Sequence, residues 1–152
     1  MSVGFKRFLA KYCRPYFVSV EPADFCQLRC PQCPVGRRGS TPQNHRTLSL
    51  YDAERILQHL PRSVKVVQFY FQGEPLLNRE LPAIIRAAHQ SGRYTTLSTN
   101  AQALTLSLAR ELVDSGLNRI IVSVDGLHQS TYSAYRQGGN LQRTQIGRAS
   151  CR

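Results

Sequence analysis

The sequence predicts an α/β fold in which parallel strands alternate with helices. Two observations support this: four short β-branched or aromatic segments recur along the chain, and each is followed by apolar residues at helical spacing. A strand-then-helix order gives parallel strands joined by right-handed crossovers, with the helices on the outside. A length of 152 residues, with 41% hydrophobic and 19% charged residues, suits one globular domain.

The chain is expected to begin with a helical extension followed by the first strand. Four apolar side chains near the start fall at helical spacing: Phe5, Phe8, Leu9 and Tyr12. We therefore predict an amphipathic helix over residues 4–13, within an N-terminal extension of residues 1–15. Residues 16–21 are aromatic and β-branched and lie between two prolines, which predicts a strand.

The remaining elements follow in strict alternation. Strands are predicted over residues 64–71, 94–98 and 119–124. Helices are predicted over residues 50–60, 79–90, 105–115 and 129–135. Ser49 and Thr105 supply N-cap side chains, and the Gly, Pro, Arg and Asn content of residues 35–46 predicts a loop. The side chains expected to face inward from two of the helices are Ala53, Ile56, Leu57, Leu60, Leu108, Leu112 and Val113.

Composition narrows the class of function. The net charge of +11 would suit a nucleic-acid partner, but no interleaving of aromatic and basic residues typical of a stacking platform occurs, so a nucleic-acid partner is not expected. No apolar run reaches the length of a membrane span, and the N-terminus lacks the pattern of a signal peptide. We expect a cytoplasmic protein without a membrane partner.

Three cysteines lie in one short loop after the first predicted strand. Cys26, Cys30 and Cys33 are separated by three and then two residues, so a single loop can direct three thiolates at one iron–sulfur cluster or metal. Both kinds of centre usually take four ligands. Either the fourth ligand comes from elsewhere in the chain, or the open position belongs to another molecule.

Polar signatures also follow the other three predicted strands. They are Gly73-Glu74-Pro75, Ser98-Thr99-Asn100 and Ser123-Val124-Asp125-Gly126. Each alone is ambiguous, because such residues also form ordinary turns and helix entries. The carboxyl ends of parallel strands share one rim, where ligand sites form, so their joint placement predicts one site together with the cysteines.

These signatures together resemble the radical S-adenosylmethionine (SAM) superfamily over residues 16–141. Residues 132–140 are also similar to the corresponding segment in members with a SPASM or twitch extension, such as peptide-maturing enzymes. The resemblance implies a partial (β/α)6 TIM-like barrel, of which about four β/α units are present.

The resemblance implies a role for each thiol. Cys26, Cys30 and Cys33 would ligate three irons of a 4Fe-4S cluster, leaving the fourth iron for the amino and carboxylate groups of SAM. One-electron reduction would cleave SAM to a 5′-deoxyadenosyl radical that abstracts hydrogen from an unidentified substrate. A peptide or a cofactor precursor fits such chemistry, and an external donor such as flavodoxin or ferredoxin would supply the electron. No further catalytic residue is assigned.

The resemblance also implies which residues bind SAM. Glu74 would hold the amino group of the methionine moiety. Ser98 and Asn100 are suited to the ribose hydroxyls, while Ser123 and Arg136 could meet the carboxylate. The complete predicted set is Gly73, Glu74, Pro75, Ser98, Asn100, Ser123, Asp125 and Arg136.

Two positions depart from the usual family pattern. Gln32 precedes the third cysteine, where an aromatic residue that packs near the adenine is common, which weakens any prediction of an adenine contact. Gln72 stands where a glycine often precedes Gly73, which puts a close backbone approach there in question. Neither position is a predicted cluster ligand.

A structural zinc module is the alternative from another class of function. Cys26, Cys30 and Cys33 would then be joined by His45 or Cys13 in a tetrahedral site of a binding protein. This hypothesis predicts zinc rather than iron and sulfide, and it leaves the other three strand-end signatures without a role.

The end of the chain is expected to lie outside the core. Residues 145–152 show no periodicity, and their codons can be written to match a common sequencing adapter. We therefore assign residues 142–152 to a non-native or disordered tail on a truncated gene. The fourth strand would then present an unpaired edge, and the chain alone is expected to be weakly active or inactive.

Overall fold

The computed structural model describes residues 14–39 and 45–149, with the backbone alone for residues 146–149. Its centre is a sheet of four parallel strands that lie side by side in chain order. The strands are β1 (Phe17–Ser19), β2 (Val66–Phe69), β3 (Tyr94–Thr99) and β4 (Arg119–Val122). This confirms the predicted α/β fold with about four parallel units. The predicted helix over residues 4–13 lies outside the described residues.

Helices follow or connect the strands. They are α1 (Pro34–Arg38), α2 (Leu50–His59), α3 (Leu81–Gln90), α4 (Leu106–Asp114), α5 (Gln129–Tyr135) and α6 (Leu141–Ala149), with a 3-10 turn over Pro75–Leu77. The predicted N-caps are confirmed, because the Ser49 hydroxyl accepts from the Asp52 amide and the Thr105 hydroxyl from the Leu108 amide. Within the described ranges, every helix is too short or too polar to cross a membrane.

The apolar core lies between one face of the sheet and the helices α2, α3 and α4. Its strand side chains are Val67, Phe69 and Leu97, and the helices contribute Ala53, Leu57, Leu81, Ile84, Ile85, Ala88, Ala109 and Leu112. The predictions for two inward-facing residues are wrong, since Val113 is 66% exposed and Ile56 38% exposed. Each is adjacent in sequence to a buried leucine and therefore points about 100° away around the helix.

The opposite face of the sheet carries a polar row. Ser19 pairs in register with Gln68, and Gln68 with Thr96. The Ser19 hydroxyl donates to Gln68 Oε1 over 3.0 Å, and Gln68 Nε2 donates to the Tyr70 hydroxyl over 3.1 Å. Phe17, Val66 and Tyr94 lie on the same face as this polar row. A parallel sheet covered by helices on one face agrees with part of a barrel.

Two segments differ from the predicted loop and tail. Residues 35–38 of the segment predicted as a loop belong to α1, and residues 142–149 of the segment predicted as a tail belong to α6. The last helix has little apolar periodicity, but Leu141 is 6% exposed and Thr144 is fully buried. Hydrogen bonds of the Thr144 hydroxyl, rather than an apolar stripe, attach this helix to the rest of the molecule.

Candidate functional site

The cysteine loop joins β1 to α1 and is held by backbone hydrogen bonds to distant segments. The Glu74 amide donates to the Phe25 carbonyl over 2.9 Å, and the Arg29 amide donates to the Gln137 carbonyl over 2.9 Å. Within the loop, the Cys33 amide donates to the Cys30 carbonyl over 3.1 Å. The loop is thereby fixed both to the turn after β2 and to the segment after α5.

A cavity of about 340 Å³ opens at the carboxyl ends of the strands. Its walls include nine of the predicted site residues: Cys26, Cys30, Cys33, Gly73, Glu74, Ser98, Asn100, Ser123 and Arg136. Tyr70, Phe71 and Gln72 also line the cavity. The sequence predicted Tyr70 and Phe71 inside a strand, and Gln72 was considered only because it differs from the usual family pattern. They follow β2 because that strand ends at Phe69.

Two predicted site residues do not line this cavity. Pro75 is buried and begins the 3-10 turn after Glu74, where its fixed φ suits the first position. Asp125 forms an ion pair with Arg136 and so acts on the cavity through that guanidinium. Burial lowers the pKa of Arg136, but the hydrogen bond and charge of Asp125 outweigh this and raise it overall.

Glu74 joins the ends of β2 and β3 through a buried carboxylate that is 3% exposed. It accepts hydrogen bonds from the Thr99 hydroxyl at 2.5 Å, the Asn100 amide at 2.9 Å and the Leu76 amide at 3.2 Å. Burial raises the pKa of Glu74 above its ordinary value, while these donors act in the opposite direction. The side chain therefore has a structural role as well as a place in the cavity wall.

The turn at Gly73 packs directly on the residues after β1. A Cβ added to Gly73 would lie 1.7 Å from the Ala23 carbonyl oxygen. The Gln72 and Gly73 amides both donate to Glu21 Oε1, over 2.8 and 2.6 Å. Close backbone approach thus occurs at Gly73 even though Gln72 replaces the preceding glycine.

The three thiols are all free, but their surroundings differ. The Cys26 sulfur lies 3.4 Å from both the Leu28 amide nitrogen and Asn100 Nδ2, and the Cys30 sulfur lies 4.0 Å from an Arg136 guanidinium nitrogen. Burial raises the pKa of Cys26 to about 11. Burial also raises the pKa of Cys30, partly offset by the charge of Arg136. Without a metal both thiols are protonated at neutral pH, so ligation must release protons.

The donor set fits an iron–sulfur cluster, which takes cysteine thiolates as ligands. Three free thiols face one cavity, yet among residues 14–39 and 45–149 no three Cys, His, Asp or Glu side chains are arranged to hold one ion. Tetrahedral zinc would draw its sulfurs to within ~3.8 Å of one another, whereas in a cubane each thiolate binds a different iron. His45, the alternative zinc ligand, stacks on Phe25 with ring centroids 3.8 Å apart, and Cys13 lies outside the described residues.

Known proteins resemble the chain in sequence. PqqA peptide cyclase of Bradyrhizobium diazoefficiens is 30% identical over 118 residues, covering 76% of this chain and 30% of the relative. GTP 3′,8-cyclase of Listeria monocytogenes is 29% identical over 134 residues, which cover 86% of this chain and 40% of the cyclase. AdoMet-dependent heme synthase of Methanosarcina barkeri is 27% identical over 134 residues, which cover 88% of this chain and 38% of the synthase. The chain thus spans less than half the length of these curated relatives.

Solved structures agree at the level of the fold. Streptococcus suis SuiB, bound to its precursor peptide SuiA, superposes with a TM-score of 0.70 at 21% identity and covers 95% of this chain and 33% of SuiB. Methylornithine synthase (PylB) gives a TM-score of 0.69 at 14% identity, and the match covers 91% of this chain and 42% of the synthase.

The family model of the Radical SAM superfamily matches residues 20–146. This chain belongs to the radical SAM superfamily.

Proposed function

We propose that this chain forms the part of a radical SAM enzyme that holds a 4Fe-4S cluster on Cys26, Cys30 and Cys33 and SAM in the adjoining cavity. The observation that carries the proposal is that three free thiols line one cavity together with polar residues from the ends of the other three strands. When bound and reduced by one electron, cluster and SAM together supply radical chemistry that removes hydrogen from a substrate.

Glu74 is suited to the amino group of SAM. A carboxylate has about four lone-pair sites, and three are already used by the donors described above. One acceptor position is left for an ammonium group at the cavity wall. A bound ammonium would also favour the ionised carboxylate, which burial alone disfavours.

The remaining polar residues of the rim would orient the rest of SAM. Ser98 and Ser123 are half-buried cavity residues at the ends of neighbouring strands, so their hydroxyls can meet the ribose and the carboxylate respectively. Arg136 would pair with the SAM carboxylate through guanidinium nitrogens that Asp125 does not occupy. In this proposal Asp125 fixes the direction of the guanidinium, and Gly73 lets the backbone pass close to the ligand.

An acidic one-electron carrier such as flavodoxin or ferredoxin is the proposed reductant. Arg29 lies in the cysteine loop and is exposed, and α1 directly after Cys33 presents exposed Arg37 and Arg38. Positive charge beside a redox centre steers an acidic partner toward it. A thiolate-ligated cluster needs reduced cysteines, which a reducing compartment maintains, so a cytoplasmic location is part of the proposal.

For the whole protein, we propose a peptide or a cofactor precursor as substrate. A peptide is favoured because a relative is named as a peptide cyclase, and SuiB, which shares the fold, was solved with its precursor peptide. This chain covers 30% of that cyclase and 33% of SuiB, so the substrate is proposed for the whole protein and not for this chain alone.

Anaerobic reconstitution tests the proposal. After treatment with iron and sulfide, we expect about four irons and four sulfides per chain. With dithionite and SAM, we expect 5′-deoxyadenosine, measured by chromatography, in low yield from this chain and in higher yield from any longer gene product. Cys30→Ala should abolish both the cluster and 5′-deoxyadenosine formation. The matched control Cys151→Ala, at a cysteine outside the predicted ligand set, should retain the cluster and the product. Stoichiometric zinc without sulfide in anaerobically purified protein would contradict the proposal.

A further inference from the structure

We propose that Asn100 is a positioning residue for the cluster, whose side-chain amide donates a hydrogen bond to the Cys26 sulfur and raises the reduction potential of the cluster. The inference rests on the proposed function. It also changes the role expected for Asn100, which the sequence assigned to a ribose hydroxyl.

The direction of the Asn100 amide follows from its neighbours. Asn100 Oδ1 accepts from the Gln102 backbone amide over 3.0 Å and from Gln27 Nε2 over 3.2 Å. A backbone N–H can only donate, so the oxygen must face Gln102 and the NH2 group must face the other way. That group lies 3.4 Å from the Cys26 sulfur.

Both backbone polar groups of Asn100 are hydrogen-bonded. Its amide donates to Glu74 Oε2 over 2.9 Å, and its carbonyl accepts from the Thr144 hydroxyl over 3.2 Å. The residue is only 4% exposed. A buried side chain with an anchored backbone and an oriented amide donates to a sulfur without further ordering, so the interaction is preorganised.

The three cysteine sulfurs differ in the hydrogen-bond donors that lie near them. Cys26 has two N–H donors at 3.4 Å, from the Leu28 amide and from Asn100. The contacts of the Cys30 and Cys33 sulfurs, to Arg136 and to the Gln72 carbonyl, are 4.0 Å long. Hydrogen bonds to the ligating sulfurs help set the potential of an iron–sulfur cluster, because they stabilise the more negative reduced state. Of the two N–H donors near the Cys26 sulfur, only that of Asn100 belongs to a side chain, so it is the one that a substitution can remove.

A redox titration of the reconstituted chain, followed by EPR in the absence of SAM, tests the inference. We expect Asn100→Ala and Asn100→Asp to shift the midpoint potential to more negative values. The aspartate keeps the acceptor oxygen toward Gln102 and provides a second variant if the alanine variant folds poorly. The neutral alanine excludes added charge as the cause of a shift.

Asn118→Ala is the matched control. Its Oδ1 accepts from the Thr95 amide over 2.8 Å at the far end of β3, so this variant should lose stability while keeping the wild-type potential. An unchanged potential in Asn100→Ala, with weaker SAM binding, would assign Asn100 to the ribose and overturn the inference. A wild-type chain that forms no 4Fe-4S cluster would instead overturn the proposed function, and the inference with it.

Discussion

Gly73 shows how one backbone position limits the site. The distance of 1.7 Å between an added Cβ and the Ala23 carbonyl oxygen means that any side chain would push the turn after β2 away from the cysteine loop. We expect Gly73→Ala to lower the free energy of unfolding by about 3 kcal/mol or more, because the opposing atoms belong to backbone. Urea denaturation followed by circular dichroism measures the loss.

Gly92→Ala is the control for that substitution. Gly92 has a φ of +76° and open space around its Cβ position, so only backbone strain is added, at a cost of about 1–2 kcal/mol. Cluster content should fall in Gly73→Ala and stay at the wild-type level in Gly92→Ala. Equal losses of stability in the two variants would show that packing against Ala23 does not matter.

The Cys26 thiol provides a test by pH. Burial raises its pKa from 9.0 to about 11, so in the metal-free protein the thiolate fraction at pH 8–9 should be much smaller than that of an exposed cysteine. Alkylation by iodoacetamide, read by peptide mass spectrometry, should therefore show a midpoint near pH 11 for Cys26. In urea the midpoint should return to about 9.0.

The same shift has a consequence for stability. The unfolded thiol ionises first, so the folded metal-free protein loses stability as the pH rises from 9.0 toward about 11. Identical alkylation midpoints for Cys26 with and without urea would show that the thiol is solvated in the folded protein.

At the residue level, the cysteine set could be predicted because its spacing within one loop is itself the signal. Asn100 lines the cavity and Asp125 does not, and the contacts of neither were predicted. Asp125 pairs with Arg136, and Asn100 faces Cys26, across 11 and 74 residues of sequence. Such contacts depend on which side chain fills a gap in three dimensions, and no local pattern encodes that.

Among the elements, α6 is attached through polar groups. The Thr144 hydroxyl accepts from Gln102 Nε2 over 2.7 Å and lies 3.0 Å from the hydroxyl of the buried Tyr132. Thr144→Val keeps the shape and removes these bonds, leaving buried polar groups with fewer partners. We expect a loss of about 1–3 kcal/mol in the free energy of unfolding, measured by chemical denaturation.

Ser107→Ala is the matched control for Thr144. Ser107 is exposed and its hydroxyl donates to Glu111 Oε1 over 3.1 Å, so its removal should change stability by less than about 0.5 kcal/mol. If Thr144→Val behaved like Ser107→Ala, the segment from residue 142 onward would be the disordered tail that the sequence predicts.

Within the described ranges, the four strands and the helices α2 to α5 were predicted, whereas α1 and α6 were not. The helix Gln129–Tyr135 has the bounds predicted from sequence, and the other predicted helices and strands in the described ranges differ from their predicted ends by a few residues. The helix α1 was missed because its proline and glycine suggest a loop. Pro34 occupies the first turn, where a missing N–H costs nothing, and a Cβ on Gly36 would lie 2.7 Å from the Cys30 backbone.

In the whole molecule, strand order explains why separate signatures form one site. The four parallel strands are adjacent in chain order, so the loops after them occupy neighbouring places on one rim. The parallel direction of the strands could be predicted from alternation alone, but their order could not, because a doubly wound sheet with the same alternation places its strands in another order. The observed order is the one that the resemblance to a partial barrel implies. The size of the cavity and the residues Tyr70, Phe71 and Gln72 in its wall could not be predicted, because they depend on the residue at which β2 ends.

The central claim is that the open coordination position of a three-cysteine cluster is where SAM binds. EPR spectroscopy of the reduced, reconstituted chain with and without SAM tests it most directly. We predict a 4Fe-4S signal that changes shape when SAM is added, because SAM then coordinates the fourth iron. A cluster signal that saturating SAM leaves unchanged would contradict the account.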